Sequence, residues 1–213
     1  IDDGSSDNSL KLIKKLKKRL YKKNFKIMII SHKKNLGLGV SLKDGFEYCL
    51  SRGKDNDIII SMDCDNSHTV QLSFKMLKRI LLNKKDIVVA SRYIRNSKTK
   101  GLDGLRIFLS YGAAILYKIF FQIKNIKDYT CGFRAFKLNV IKKAYTENKK
   151  FFSEKGFSAS ADILLKLFKY KNDISFDELP INLRYDLKKG ESKMKILKTI
   201  YLNVRLIIIR KLF

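Results

Sequence analysis

Two aspartates, Asp63 and Asp65, stand one residue apart in "SMDCDNSH" (61–68), directly after the apolar run "DIII". Neighbouring carboxylates repel unless something positive sits between them. A hard divalent cation, Mg²⁺ or Mn²⁺, takes oxygen ligands and completes its shell with substrate phosphates. The pair therefore suits a metal-bound diphosphate, although an isolated DxD is more often an acidic surface loop. Two other stretches sit where strands should end. "IDDGSSD" (1–7) sets Asp2 and Asp3 before a turn, and "NLGLG" (35–39) sets Asn35, Gly37 and Gly39 between a strand and a helix. Open α/β sheets bind ligands at such strand ends. Neither is specific alone. The acids also suit a helix N-cap turn, the glycines a turn with special dihedrals, and "GLG" is not the dinucleotide GxGxxG fingerprint.

The elements that must position these residues alternate. "FKIMIIS" (25–31), "DIIISM" (57–62) and "DIVVAS" (86–91) read as strands buried on both faces. The segments 6–23, 39–51 and 69–83 carry apolar residues at helical spacing, the first with Ser6 or Asp7 as its N-cap. The pattern predicts an α/β domain with a mostly parallel sheet flanked by helices. It begins inside a motif at Ile1, so a further strand is expected before it. Beyond residue 100 come an apolar, aromatic helix (103–123), helices near 138–147 and 158–170, and a β segment (174–185) holding the sole proline, Pro180. The chain closes on 192–213. There Lys195, Lys198, Thr199, Asn203, Arg205 and Arg210 share about half of a helical circumference, which describes a basic amphipathic helix for an anionic membrane surface, or a terminal helix packed on its own domain.

With 46 Lys and Arg against 20 Asp and Glu, the formal charge is +26. That implies an anionic partner, unless the charge is simply solvated surface. A nucleic-acid binder would spread aromatics over a basic face and would have no use for ordered acidic motifs, so that class is set aside. Three scattered cysteines form no zinc or redox motif and point to a reducing compartment. No apolar run reaches the roughly 18 residues of a spanning helix.

Taken in order, "IDDGSSDNS", "NLGLGVSLKDGF", "MDCDNSH", "ASRYIRN", "DYTCGFRAF" and "ELPINLRYDLKKGESKM" make the chain resemble glycosyltransferase family 2, and within it the polyprenyl-phosphate sugar synthases. The resemblance covers essentially the whole chain. It implies a GT-A fold over 1–191, with 192–213 as a membrane-surface helix. It also implies a GDP- or UDP-sugar donor and inverting transfer onto a polyprenyl phosphate, dolichyl or undecaprenyl, at the cytoplasmic face of a membrane. A soluble or surface glycan acceptor, which would need a base at or near Asp128, stays open as the alternative within the family.

The same resemblance distributes roles. Asp2, Asp3, Asn35, Gly37, Gly39 and Asp63 fall on the nucleotide-sugar side. Asp63 and Asp65 hold the metal, with Asp65 the better direct ligand; Ser67 stands where some relatives have a Gln ligand, and His68 orders the loop. Arg92, Arg106 and Ser110 match acceptor-phosphate positions, the last two one helical turn apart. Asp128 and Arg134 in "DYTCGFR" fall beside the sugar as catalytic candidates with Asp65, where Asp128 either binds hydroxyls, orients Arg134 or forms a structural ion pair. Glu178 braces the final strand. In "RYDLKKGESK" (184–193) Leu187 occupies a common Arg position, so Lys188 or Lys193, or Arg184, must supply charge to the donor diphosphate.

Overall fold

The structure, a computed structural model, describes residues 1–21, 26–188 and 196–212. Its centre is β2 (Ile87–Ser91), whose five residues are all buried. The uninterrupted "IVVA" run demands cover on both faces, and helices supply it. On α3 (Gln71–Leu82) the buried residues Leu72, Met76 and Ile80 recur every four positions and form the stripe that faces the sheet. Phe46 of α2 (Leu38–Arg52) joins the same core, packed edge-on to Phe136.

The sheet runs β1 (Ile58–Ser61), β4 (Arg134–Lys137), β2, β5 (Phe176–Pro180). It is mixed rather than mostly parallel: β4 is antiparallel to β1 and β2, and only β2–β5 is parallel. Apolar periodicity carries no strand direction, and "RAFK" is too short and too charged to announce itself. The expected strand 25–31 is reduced, among the described residues 26–31, to one parallel bridge between Asp2 and Ser31, because a ladder needs a neighbour along its whole length. The expected β segment 174–185 divides after Pro180. Its second half, β6 (Asn182–Arg184), pairs in parallel with β3 (Lys98–Lys100) in a separate two-stranded sheet.

The first helix, α1 (Ser9–Leu20), buries nothing. Its N-cap is Asn8, one residue past the expected Asp7, whose carboxylate instead accepts the Ser9 amide at 2.9 Å. By contrast α6 (Ala159–Phe168) is buried almost all round, and α5 (Leu138–Glu147) has the predicted bounds. The aromatic helix is α4 (Gly104–Phe120), started by Asp103, which caps the Arg106 amide. α7 (Ile196–Leu212) packs along α4, where Tyr117 donates to Asn203 at 2.6 Å. Part of the polar face anticipated on this last helix is thus spent inside the molecule: Asn203, Arg205 and Arg210 all bond to the domain. Among the described residues no helix is long and apolar enough to cross a membrane.

Candidate active site

The acidic loop leaves β1 at Ser61, whose hydroxyl donates to the Gly132 carbonyl at 2.7 Å and ties the loop to the start of β4. Asn66 turns the chain at φ 64°. Asp65 then accepts from the Ser67 hydroxyl at 2.5 Å, the Ser67 amide at 3.1 Å and the Lys188 ammonium at 2.9 Å. Partial burial opposes its charge, but these three donors outweigh it and hold the pKa at about 2. Asp63 is exposed, and its amide donates to Nδ1 of His68. Burial drives the His68 pKa down, and the ring stacks on Phe133. The ring, accepting from the Asp63 amide, links the loop to Phe133.

The fields of Asp63, Asp65, Arg92 and Lys188 all act on His68, so these charges share one neighbourhood. Arg184 spends its guanidinium on Asp186, while its amide donates to the Ser67 carbonyl at 2.9 Å. Of the two described cations weighed for this loop, Lys188 is the one that reaches Asp65; Lys193 lies outside the described residues. Among the described residues no group of three or more His, Cys, Asp and Glu side chains forms a closed metal cage. Two ionisable carboxylates on one loop are nonetheless the donor set that a hard cation shared with a diphosphate uses.

Arg92 stands just past β2, and its guanidinium meets Asp128 through two parallel bonds, Nε and Nη2, each 2.8 Å. The Arg92 amide adds a third bond to the same carboxylate at 3.0 Å. Nη1 reaches Ser110 on α4 at 3.0 Å, and Nη2 also reaches Thr130 at 2.6 Å. Of the five guanidinium hydrogens, one on Nη1 has no partner among the described residues. Burial opposes both charges, yet their mutual attraction keeps Arg92 well above its ordinary pKa and Asp128 below its own. Glu178 accepts the amides of Lys127 and Asp128 at 2.7 Å each, bracing the turn that presents Asp128.

Asp128 orients Arg92, not Arg134. Arg134 is fully buried, where it donates to the carbonyls of Tyr129 and Ser160, and Nε has no partner among the described residues. Burial lowers its pKa to about 10. Arg106 pairs with Asp103 at 3.3 Å on the first turn of α4. Ser110 is the residue that draws α4 to the site, bonded also to Tyr93 at 2.6 Å.

The "IDDG" and "NLGLG" stretches meet, by contacts that the motifs do not reveal. Asp2 is buried and bonds to Ser5 and Ser31. Asp3 accepts the amides of Leu36 and Gly37 at 2.8 and 2.9 Å and so holds the turn. His32, which sequence reasoning missed, lies between Asp3 at 2.7 Å and Asp44 at 2.8 Å, one carboxylate on each ring nitrogen. Gly37 has φ 96°, and a side chain at Gly39 would collide with the Glu154 carbonyl. Asn35 is exposed at the tip. Tyr93, Thr130, Asp44 and Glu154 were likewise unforeseen. Each depends on a contact across the fold, and only the "SRY" and "DYTCGFR" contexts hinted at the first two.

The chain matches the profile of Glycosyl transferase family 2 over residues 1–148. It is 27% identical, over 96% of its length, to a dolichol-phosphate mannosyltransferase of Pyrococcus furiosus, of which it spans 52%. It is 26% identical over 91% of its length to a polyprenol monophosphomannose synthase of Mycolicibacterium smegmatis, covering 68% of that protein. It is also 26% identical over 94% of its length to a UDP-N-acetylglucosamine–dolichyl-phosphate N-acetylglucosaminyltransferase of Methanococcus voltae, covering 81% of it. With the acidic loop, the Arg92–Asp128 pair and an α/β sheet of GT-A type in place, and the family profile spanning well over half of its residues, the chain belongs to glycosyltransferase family 2.

Proposed function

We propose that the chain transfers a sugar, with inversion, from a nucleotide-diphosphate sugar to a polyprenyl phosphate at the cytoplasmic surface of a membrane. One observation carries this reading: Arg92 bonds to Ser110 on α4, a helix whose outer face leaves Leu105, Phe108, Tyr111, Ile115 and Ile119 exposed. A largely buried cation, its side chain 14% exposed, thus adjoins an uncovered apolar helix, the pairing that an anionic headgroup on a hydrocarbon tail requires. The names of the three relatives, all acting on polyprenyl or dolichyl phosphates, support the same class of acceptor.

A phosphate oxygen attacks the anomeric carbon as an anion, so no strong general base is needed. Asp128 supports that assignment. Held ionised by Arg92, it is a poor proton acceptor, which disfavours the rival reading of a neutral glycan acceptor activated by a base there. In this mechanism Arg92, through its remaining Nη1 hydrogen, together with Ser110 and Thr130, orients the acceptor phosphate; Arg106 adds charge one turn away. Lys188 exchanges Asp65 for the departing diphosphate. Asp63 and Asp65 would hold Mg²⁺ or Mn²⁺, which supplies Lewis-acid neutralisation of the leaving group. The turn at 35–39 receives the nucleotide, and Lys188 lies on the donor side; of the segment 184–193 expected to close over the donor, 189–193 lie outside the described residues.

The test is radiolabel transfer with a panel of UDP- and GDP-sugars onto undecaprenyl or dolichyl phosphate, with Mn²⁺ or EDTA. Organic-phase product, abolished by EDTA and reduced at least about a hundredfold in Asp65→Ala, is expected. Water-soluble product alone would replace the lipid acceptor by a glycan, and a folded D65A protein with full activity would remove the metal assignment.

A further inference from the structure

α7 is joined to the domain by more than its apolar contacts. Arg205 reaches Glu154 at 3.1 Å, and Arg210 reaches Asp162 of α6 at 2.6 Å. Asp162 also takes the buried Lys166 ammonium at 2.7 Å. Lys166 in turn donates to the carbonyls of Lys150 and Phe151 and to the Ser153 hydroxyl, which Arg210 Nη2 approaches at 3.4 Å. Ser158 donates to Glu154 at 3.1 Å. The irregular segment between α5 and α6 has no ladder or helix of its own over 148–157, and these side chains of α6 and α7 hold it.

The other side of the same segment touches the Asn35–Gly39 turn. The Lys155 carbonyl accepts the Gly39 amide at 2.9 Å. A Cβ at position 39 would stand 1.9 Å from the Glu154 carbonyl, and one at position 37 would stand 2.8 Å from that of Lys155. Two successive carbonyls therefore define the path of the turn, and their own place is fixed by Glu154, Asp162 and Lys166, with Arg205 and Arg210 closing the arrangement from α7. The outward face of α7 meanwhile leaves Leu197, Tyr201, Ile208 and Leu212 exposed.

We infer that Glu154, Arg205 and Arg210 are positioning residues for the donor-side turn: the seating of α7 on the 150–156 segment sets the shape of the turn, and with it the affinity for the nucleotide sugar. A helix with an uncovered apolar face and the nucleotide-side turn thereby become one coupled unit. The inference rests on the reading of 35–39 as part of the donor site.

The experiment compares the full chain with Arg205→Ala/Arg210→Ala by hydrogen exchange over residues 37–41 and by calorimetric binding of UDP- and GDP-sugars with Mn²⁺. Exchange at the Gly39 amide should accelerate. The donor Kd should weaken by about fivefold or more, while kcat at saturating donor stays unchanged; a purely structural defect would lower the active fraction and leave Kd alone. Wild-type exchange and wild-type Kd in the variant would overturn the coupling. Should the double variant fail to fold, Arg205→Ala, whose side chain is 44% exposed, is measured in the same way. Asn35→Ala separates the two readings. If it leaves the donor Kd unchanged, 35–39 is not a donor element, and the exchange at Gly39 still decides whether α7 governs the turn.

Discussion

Replacing Asp128 by Asn should cost this protein a large part of its stability. Asp128 is wholly buried, and the Arg92 side chain is 14% exposed. The carboxylate accepts three bonds from Arg92 and one each from the amides of Thr130 and Cys131, at 3.2 and 3.0 Å. Asparagine keeps the shape but loses the charge, and it turns an NH₂ group toward a guanidinium that can only donate. Breaking one side of a buried ion pair costs about 3–5 kcal/mol, because the remaining charge stays desolvated. For a chain of this size that is a fall in Tm of roughly 6–20 °C. Urea and thermal unfolding followed by circular dichroism measure it, with the m-value checked for unchanged cooperativity. The sign with pH is also fixed. The Asp128 pKa is depressed, so its stabilisation is present above the ordinary carboxylate range and is lost as pH falls through the folded value. D128N should lack that acid-side loss. A D128N protein within about 0.5 kcal/mol of wild type would refute the claim that this pair organises the site.

Two further outcomes follow from the geometry. A neutral imidazole has one N–H, yet His32 faces a carboxylate on each nitrogen, and the bond to Asp3 above all raises its pKa. The resulting stabilisation is complete below the ordinary value near 6.5 and disappears as pH rises through the folded value. NMR titration of His32 should show the raised pKa, with donor Kd weakening over the same range and the dependence lost in His32→Gln; a ring titrating at or below the ordinary value contradicts the bridge. On the apolar faces, Phe108 is 73% and Tyr201 66% exposed. Phe108→Glu/Tyr201→Glu should weaken sedimentation with phosphatidylglycerol vesicles by at least about tenfold, at roughly 1.5–3 kcal/mol per buried side chain, without a change in Tm; equal binding of both proteins would place the membrane contact elsewhere.

Elements that repeat a period over many residues were legible from residue order alone. The buried run of β2, the Leu72–Met76–Ile80 stripe of α3 and the bounds of α5 follow from which faces must leave water. Residue order also determined that Asp63, Asp65, Arg92, Asp128 and Lys188 carry charge in motifs at loop positions. Short segments stayed hidden. Arg134–Lys137 has no period to read, and its direction between β1 and β2 is set by how the chain returns after α4.

Pairing partners, by contrast, were settled by the packed fold. Sequence separation says nothing about whether Asp128 meets Arg92 or Arg134; the Glu178 carboxylate, 50 residues downstream, settles it by fixing the Asp128 amide. Likewise the glycines of "NLGLG" announce a tight turn, but the reason Gly39 admits no side chain is the Glu154 carbonyl, brought there by a segment that α6 and α7 hold. Local chemistry is written in residue types. Charge pairing and close backbone approach depend on distances that exist only once the layers have packed.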